Sequence, residues 1–533
     1  MKRADRIIQF VTGPFVDHAL LFALLLFAFN GLWVKSLVMD HEYGRAVAAV
    51  TNGVILVYLI VFALSFSTRI RRVVAPVLLF LFLAHSVVDE VCFLVMRAHL
   101  NVVFWQTILA TNFSETKEFI QTYMNASMFI GGFLFFGFFA VLYYLAEYKK
   151  NWVLKGRWLR VSRWAFILLI AVSFAETARP TIMFNFCIPE LSYFAGRFSL
   201  EKLNAVLNEG KIDLKKSMLV PELEKVGDSA PQKFVVVIGE SYSKSHCGLY
   251  GYEKETTPKL RTLQNDSLLA VFNNVRSSDV HTTAVFKTFL NTYGEDDKDS
   301  LAWYEAFHLI KFLEMIGFRA NWVSAQMNNS FFESVQDKNA QLCDSVVYVD
   351  ARENPYDGSV LRYVFNGPEK ESVFYHLMGQ HTAYEKRYSA DKRIFSEKDY
   401  AAYPENQRST LAHFDNATLY NDSIVYELMS SYKDDDAIVF YFPDHGQDLY
   451  DADSAYAGHG RDGIPESFAA AQYIPFVVYM SPVYKEKHPD EVTRIFASVD
   501  KDFVTDDFAY SIIDLLGYKF AKNDKVSRRS LFN

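Results

Sequence analysis

AIVFYFPDHGQD, residues 437–448, runs six apolar residues into a proline and then sets two metal-capable side chains, Asp444 and His445, side by side. A short apolar run closed by a turn residue reads as a strand buried on both faces, the kind found in parallel sheets. Ligands in such sheets bind beyond the carboxyl ends of the strands. The stretch therefore predicts an α/β domain with a site along one sheet edge, if other strands deliver further ligands there.

Four more runs fit that demand: KFVVVIG (233–239), ANWVSA (320–325), SVFYHLM (372–378) and IPFVVYM (474–480). LAWYEAFHLIKFLEMIG (301–317) and DDFAYSIIDLLG (506–517) have helical spacing between them. Polar residues sit where the strands end. Glu240 follows the first run, His381 follows SVFYHLMGQ, and His459 lies in the Gly-flanked loop AGHGRDG beyond Asp444 and His445. Singly, each has a plain explanation, since Glu240 can cap a helix and a lone histidine is more often structural. Together they favour a metal site. Carboxylates with imidazole suit Zn²⁺, with Mn²⁺ as the alternative. SSDVHTTAVFKTFLN (277–291) adds hydroxyls at a helix start, where backbone N–H groups and the helix dipole favour phosphate. Helix capping is the competing reading there, and on local pattern alone it is the stronger one.

The first third of the chain is different. Residues 15–34, 46–66, 73–92, 126–146 and 162–178 are apolar stretches long enough to cross a hydrocarbon core as helices. The third carries Asp89 and Glu90 near its end. The first has no small-residue cleavage site and four spans follow it, so it reads as an anchor. Basic residues (Lys2, Arg3 and Arg6; Arg69, Arg71 and Arg72; Lys149 to Arg163) fall on one side of a five-span topology. By the positive-inside rule the N-terminus is cytoplasmic, and everything after residue 180 lies outside the cytoplasm. FAGRFSLEKLNAVLNEG has helical amphipathic spacing, which suits either the membrane surface or packing on the soluble domain. VGDSAPQK closes the linker. The expected division is residues 1–180 in the membrane, 181–230 as bridging helices and linker, and 231–533 as the soluble domain. Net charge of −8 gives no sign of a nucleic-acid partner. The four cysteines lack CxxC spacing, which argues against a zinc ribbon and leaves disulfides undecided.

At the ligand-bearing residues the chain resembles the membrane-bound phosphoethanolamine transferases of the alkaline phosphatase/sulfatase superfamily. VVVIGESYSKSHCGLYGYEKETTPKL is similar to that family's strand–Gly–Glu opening and its Thr-x-Pro-x-Leu segment. YHLMGQHTAYEKRY resembles its His-x-Met-Gly-x-His motif, YFPDHGQD its Asp-His-Gly element, and SRRSLF its chain end. The resemblance implies a five-helix transmembrane domain joined to a sulfatase-like catalytic domain in the periplasm, anchored in a bacterial inner membrane. It implies a catalytic zinc surrounded by Glu240, Thr283, Asp444 and His445, with Thr283 as nucleophile in preference to Thr282. His381 and His459 match histidines placed near the phosphoryl group. TILATNFSETKEF (107–119) resembles the family's donor-headgroup segment, making Thr111, Glu115 and, less regularly, Thr107 candidates for substrate binding.

The implied reaction moves phosphoethanolamine from phosphatidylethanolamine to an envelope glycolipid by way of a threonine adduct, in a monomeric enzyme. WVSAQMNNSFFESV lacks the Cys and Lys of lipid A-modifying members, so a lipopolysaccharide core sugar is the favoured acceptor and a lipid A phosphate the other. Two further readings stay open: a phosphoglycerol transferase using Mn²⁺ on a related scaffold, and a non-catalytic envelope binding protein.

Overall fold

The structure is a computed structural model. It describes residues 3–39, 43–96, 116–117, 120, 126–148, 156–177, 212–297, 300–326, 334–350, 355–452, 454, 456–460 and 464–533. Thr107, Thr111, Glu115, Cys187 and the amphipathic stretch before residue 212 lie outside the described residues. The chain divides into two compact units, one of Met1–Ile108 and Ile120–Glu209 and one of Leu109–Phe119 and Gly210–Asn533.

The first unit contains helices α1 (Arg3–Asp17), α2 (Ala19–Met39), α3 (Tyr43–Ser65), α4 (Thr68–Met96), α5 (Ala126–Tyr148) and α6 (Gly156–Thr177). The five expected spans fall largely on these helices, the first across the 68° bend between α1 and α2. Among the described residues, α4 and α5 are each long and apolar enough to cross a membrane, and the α1–α2 pair counts as a third if taken as one span. Leu25, Val57, Val61, Leu79, Leu83 and Phe166 form the shared core. Phe133, Leu134 and Phe138 on α5 point outward. A helix apolar on every side needs an apolar surrounding, as a bilayer provides. Charge inside this unit is matched internally: Arg71 donates two hydrogen bonds of 2.9 Å to the Glu147 carboxylate, and Arg72 adds one of 3.2 Å.

The second unit is built on a seven-stranded sheet. Its strands are β1 (Lys233–Gly239), β2 (Leu269–Phe272), β3 (Arg319–Ser324), β4 (Ser345–Tyr348), β5 (Glu371–His376), β6 (Ala437–Pro443) and β7 (Phe476–Met480). Across the sheet the order is β2–β7–β6–β1–β5–β3–β4. All neighbours are parallel except β7, which runs against both β2 and β6. Successive side chains point to opposite faces. Phe234, Val236 and Ile238 enter one core, while Val235 and Val237 enter the other. Both faces are covered, which explains why these strands read as unbroken apolar runs.

All five quoted runs form strands, and two edge strands were not expected. The 301–317 window is not one helix. A 3₁₀ turn at Trp303–Glu305 is followed by extended residues and a helix over Leu309–Met315. Thr292 N donates to Phe307 O at 2.9 Å and Phe307 N to Thr292 Oγ1 at 3.2 Å, so tertiary hydrogen bonds take the backbone that a helix would need. Among the described residues, Cys92, Cys247 and Cys343 are buried and form no disulfide with one another.

Candidate metal centre

Register brings the ligands to one level. Ile238 lies opposite His376 on one side and Phe442 on the other, and Gly239 lies opposite Pro443. The chain therefore leaves β1, β5 and β6 at the same edge. Asp444 N donates to Gly239 O at 3.2 Å, and Gln380 N donates to Glu240 O at 2.9 Å. Gly379 makes the closest approach. Its φ is +45°, and a Cβ there would fall 2.7 Å from Glu240 N, so only glycine fits.

Glu240, Asp444 and His445 converge, with one ligand atom from each lying within 4.8 Å of the others. All three are 1% exposed. His445 Nε2 stands 3.6 Å from Glu240 Oε1 and 3.5 Å from Asp444 Oδ2. His445 Nδ1 lies 2.8 Å from Gly446 O. A proton on Nδ1 satisfies that carbonyl and leaves the Nε2 lone pair facing the carboxylates, the tautomer a metal ligand requires. The carboxylates are braced from outside: Ser241 Oγ donates to Glu240 Oε1 at 2.7 Å, Gln326 Nε2 to Glu240 Oε2 at 3.3 Å, and His445 N to Asp444 Oδ1 at 2.8 Å.

What remains is an excess of negative charge. Asp444 Oδ2 is buried and has no hydrogen-bond partner among the described residues. Burial, and then the charge of Asp444, hold the Glu240 carboxyl well above its ordinary pKa. Among the described residues no Lys or Arg forms an ion pair with either group. Two buried carboxylates, an orphaned oxygen and a correctly presented imidazole fit a divalent cation, which would relieve the repulsion that their own side chains do not.

Around this triad the structure gathers histidines. The His445 and His459 rings are 4.8 Å apart, and His281 stands 6.0 Å from His459. Burial, Arg387 and His445 push His381 down to about 3, and burial with the neighbouring histidines holds His459 well below its usual value. Both rings are therefore neutral near pH 7. Sequence reading missed His281, which is held by Asp279 at 2.9 Å, and also Gln326, the brace on Glu240. His281 stands directly before the two candidate threonines, a position the motif reading passed over. The hydroxyl that reaches His445 Nε2 is that of Thr282, at 3.3 Å, and Thr283 follows it in the short helix Thr282–Val285.

The Sulfatase family model matches residues 232–518. The phosphoethanolamine transferase EptC of Escherichia coli O18:K1:H7 (strain RS218 / NMEC) is 28% identical over 361 residues, covering 64% of this chain and 59% of that protein. The chain thus spans about three-fifths of that relative's length. The C-terminal periplasmic domain of EptC from Escherichia coli, solved in complex with Zn, is similar at 25% identity and a TM-score of 0.52, over 59% of this chain and 89% of that one. The integral membrane phosphoethanolamine transferase EptA of Neisseria meningitidis shares the fold over 96% of this chain and 98% of its own, at 19% identity and a TM-score of 0.63. With a family model spread over more than half its length, the chain belongs to the sulfatase family.

Proposed function

We propose that this protein transfers phosphoethanolamine from phosphatidylethanolamine to an envelope glycolipid, with a lipopolysaccharide core sugar favoured over a lipid A phosphate. The carrying observation is the buried Glu240–Asp444–His445 triad with its orphaned oxygen, in a chain similar to a phosphoethanolamine transferase. Glu240, Asp444 and His445 hold the metal, with zinc as its identity. When bound, zinc supplies the positive charge that lowers the pKa of a hydroxyl beside it and draws charge from phosphoryl oxygens.

In the first half-reaction Thr283 Oγ attacks phosphorus. The bond to the diacylglycerol oxygen breaks, and the threonine proton passes to that leaving oxygen. In the second half-reaction an acceptor hydroxyl or phosphate oxygen attacks the phosphothreonine ester, releasing Thr283 Oγ to take up a proton. His381 and His459, neutral and close to His445, donate hydrogen bonds to the phosphoryl oxygens and move these protons. Thr107, Thr111 and Glu115 bind the donor headgroup. Five spans anchor the enzyme in the bacterial inner membrane as a monomer, with residues 231–533 in the periplasm and 181–230 bridging. A lipid donor accounts for a catalytic domain kept tethered to the bilayer.

The test is incubation of full-length protein with headgroup-labelled phosphatidylethanolamine, followed by peptide mapping. The label should appear on Thr283 and be lost in Thr283→Ala. A label on Thr282 would move the nucleophile by one residue, and consumption of phosphatidylglycerol instead would overturn the donor.

A further inference from the structure

Beside the metal centre lies a cavity of about 250 Å³ lined by Lys244, Ser245, Tyr250, Asp451, Ala470 and Tyr473. Three segments meet there: the turn after Glu240, the loop after Asp448 and the end of helix Pro465–Gln472. The turn and the helix end are bonded to the ligand-bearing backbone and to each other. Tyr242 N donates to His445 O at 2.9 Å, Gly446 N to Ala471 O at 2.7 Å, and Lys244 N to Tyr473 O at 3.1 Å.

The lining groups are held in place. Asp451 Oδ2 accepts from Ser245 Oγ at 2.8 Å and stands 3.5 Å from His246 Nε2. Behind it, His246 Nδ1 lies 3.5 Å from Asp415 Oδ1, and Asp415 is fully buried and hydrogen-bonded by Tyr252 and Tyr400. Burial works against charge on His246, but the two carboxylates outweigh it and push the ring up to about 9. The imidazolium between them therefore fixes Asp451 as an acceptor. Lys244 Nζ lies 5.2 Å from the centre of the Tyr250 ring and donates to Asn273 O. Tyr473 is 43% exposed, a large aromatic face left to solvent. Lys244 and His246 balance Asp415 and Asp451, so a ligand meets one accessible ammonium, one fixed carboxylate and one open ring.

We propose that this cavity seats the acceptor. It takes an anionic pyranose whose ring lies on Tyr473, whose hydroxyls donate to Asp451, and whose acidic substituent pairs with Lys244. This assignment rests on the transferase reading above and deepens it, since the cavity adjoins the backbone that presents the metal ligands. The acidic group has two candidate sources, the phosphate of a glucosamine disaccharide and the carboxylate of a core sugar acid.

The test uses full-length protein in detergent micelles, with phosphatidylethanolamine as donor and two deacylated acceptors, a phosphorylated glucosamine disaccharide and a core oligosaccharide. Tyr473→Ala and Lys244→Gln should each raise the acceptor KM about tenfold and shift the donor KM less than about twofold, with Lys244→Arg restoring most of the loss. Whichever acceptor shows the effect identifies the source of the acid. An acceptor KM unchanged in both variants overturns the cavity assignment while leaving the transferase reading intact. If wild-type protein releases no diacylglycerol, the transferase reading fails. The cavity is then judged by saturation-transfer NMR with the same two sugars: signal lost in Tyr473→Ala upholds it, and signal equal to wild type overturns it.

Discussion

The two ends of strand β1 handle buried charge in opposite ways. At its start Lys233 is fully buried, and its Nζ lies 2.7 Å from Glu371 Oε2 on the neighbouring strand and donates to Glu369 O at 2.8 Å. At its finish Glu240 is as deeply buried, but it faces another carboxylate and an imidazole. The first end is complete in itself and serves the fold. The second end has the donor set of a cation site, and its unpaired carboxylate oxygen sets it apart from the first. Arg71 with Glu147 repeats the first pattern within the helical unit.

Changes at either end should separate the two behaviours. The largest effect is expected from Asp444→Asn, which should cut transfer on the order of 1,000-fold and strip the metal, as read by elemental analysis of purified protein. Because Glu240 must lose a proton to bind a cation, metal uptake by the wild type should also strengthen as pH rises. Retained metal and activity in Asp444→Asn would erase the distinction between the two ends.

Next comes Lys233→Met. Leaving Glu371 buried and unpaired should cost about 3–5 kcal/mol of stability by denaturant titration. Activity per folded molecule should stay within about twofold. A variant that melts like wild type but loses metal would place Lys233 in the wrong category.

His246 gives an intermediate case, a buried cation held between two acids. Its pKa is raised from 6.5 to about 9 in the folded protein. The resulting stabilisation is complete below pH 6.5 and disappears as pH rises through about 9. It should amount to on the order of 3 kcal/mol. His246→Gln should flatten that stretch of the stability profile, and a profile identical to wild type would remove the charge from His246.

The smallest effect is expected at the brace. Gln326→Leu deletes the hydrogen bond to Glu240 Oε2 and should weaken metal affinity about tenfold, measured by competition with a chelating dye. Unaltered affinity would show that Ser241 alone is enough to orient Glu240.

Much of this was legible in the chain, for reasons that can be named. KFVVVIG and AIVFYF are buried on both faces, so their apolar runs mark them as strands without any partner in view. Leu269–Phe272 and Ser345–Tyr348 are four-residue edge strands, and the second is only partly covered, so neither leaves a run long enough to notice. The 301–317 segment has the apolar spacing of a helix, but its hydrogen bonds to Thr292 form only in the folded chain. Glu240, Asp444 and His445 were found because each follows a strand. Gln326 also follows a strand, but a neutral amide carries no chemical flag. The Asp415–His246–Asp451 relay joins residues more than 160 positions apart, and no local pattern announces it.

The reversed strand β7 has a further consequence. Because it runs against its neighbours, the chain comes back to the ligand-bearing edge, and its path out and its path home are tied together by Gly446 with Ala471 and Ser467 with Asp448. Everything between those knots is an excursion whose endpoints stay put whatever its length. His459 rides on that excursion, so the two knots fix where its loop leaves and rejoins the edge and hold the histidine within reach of His445.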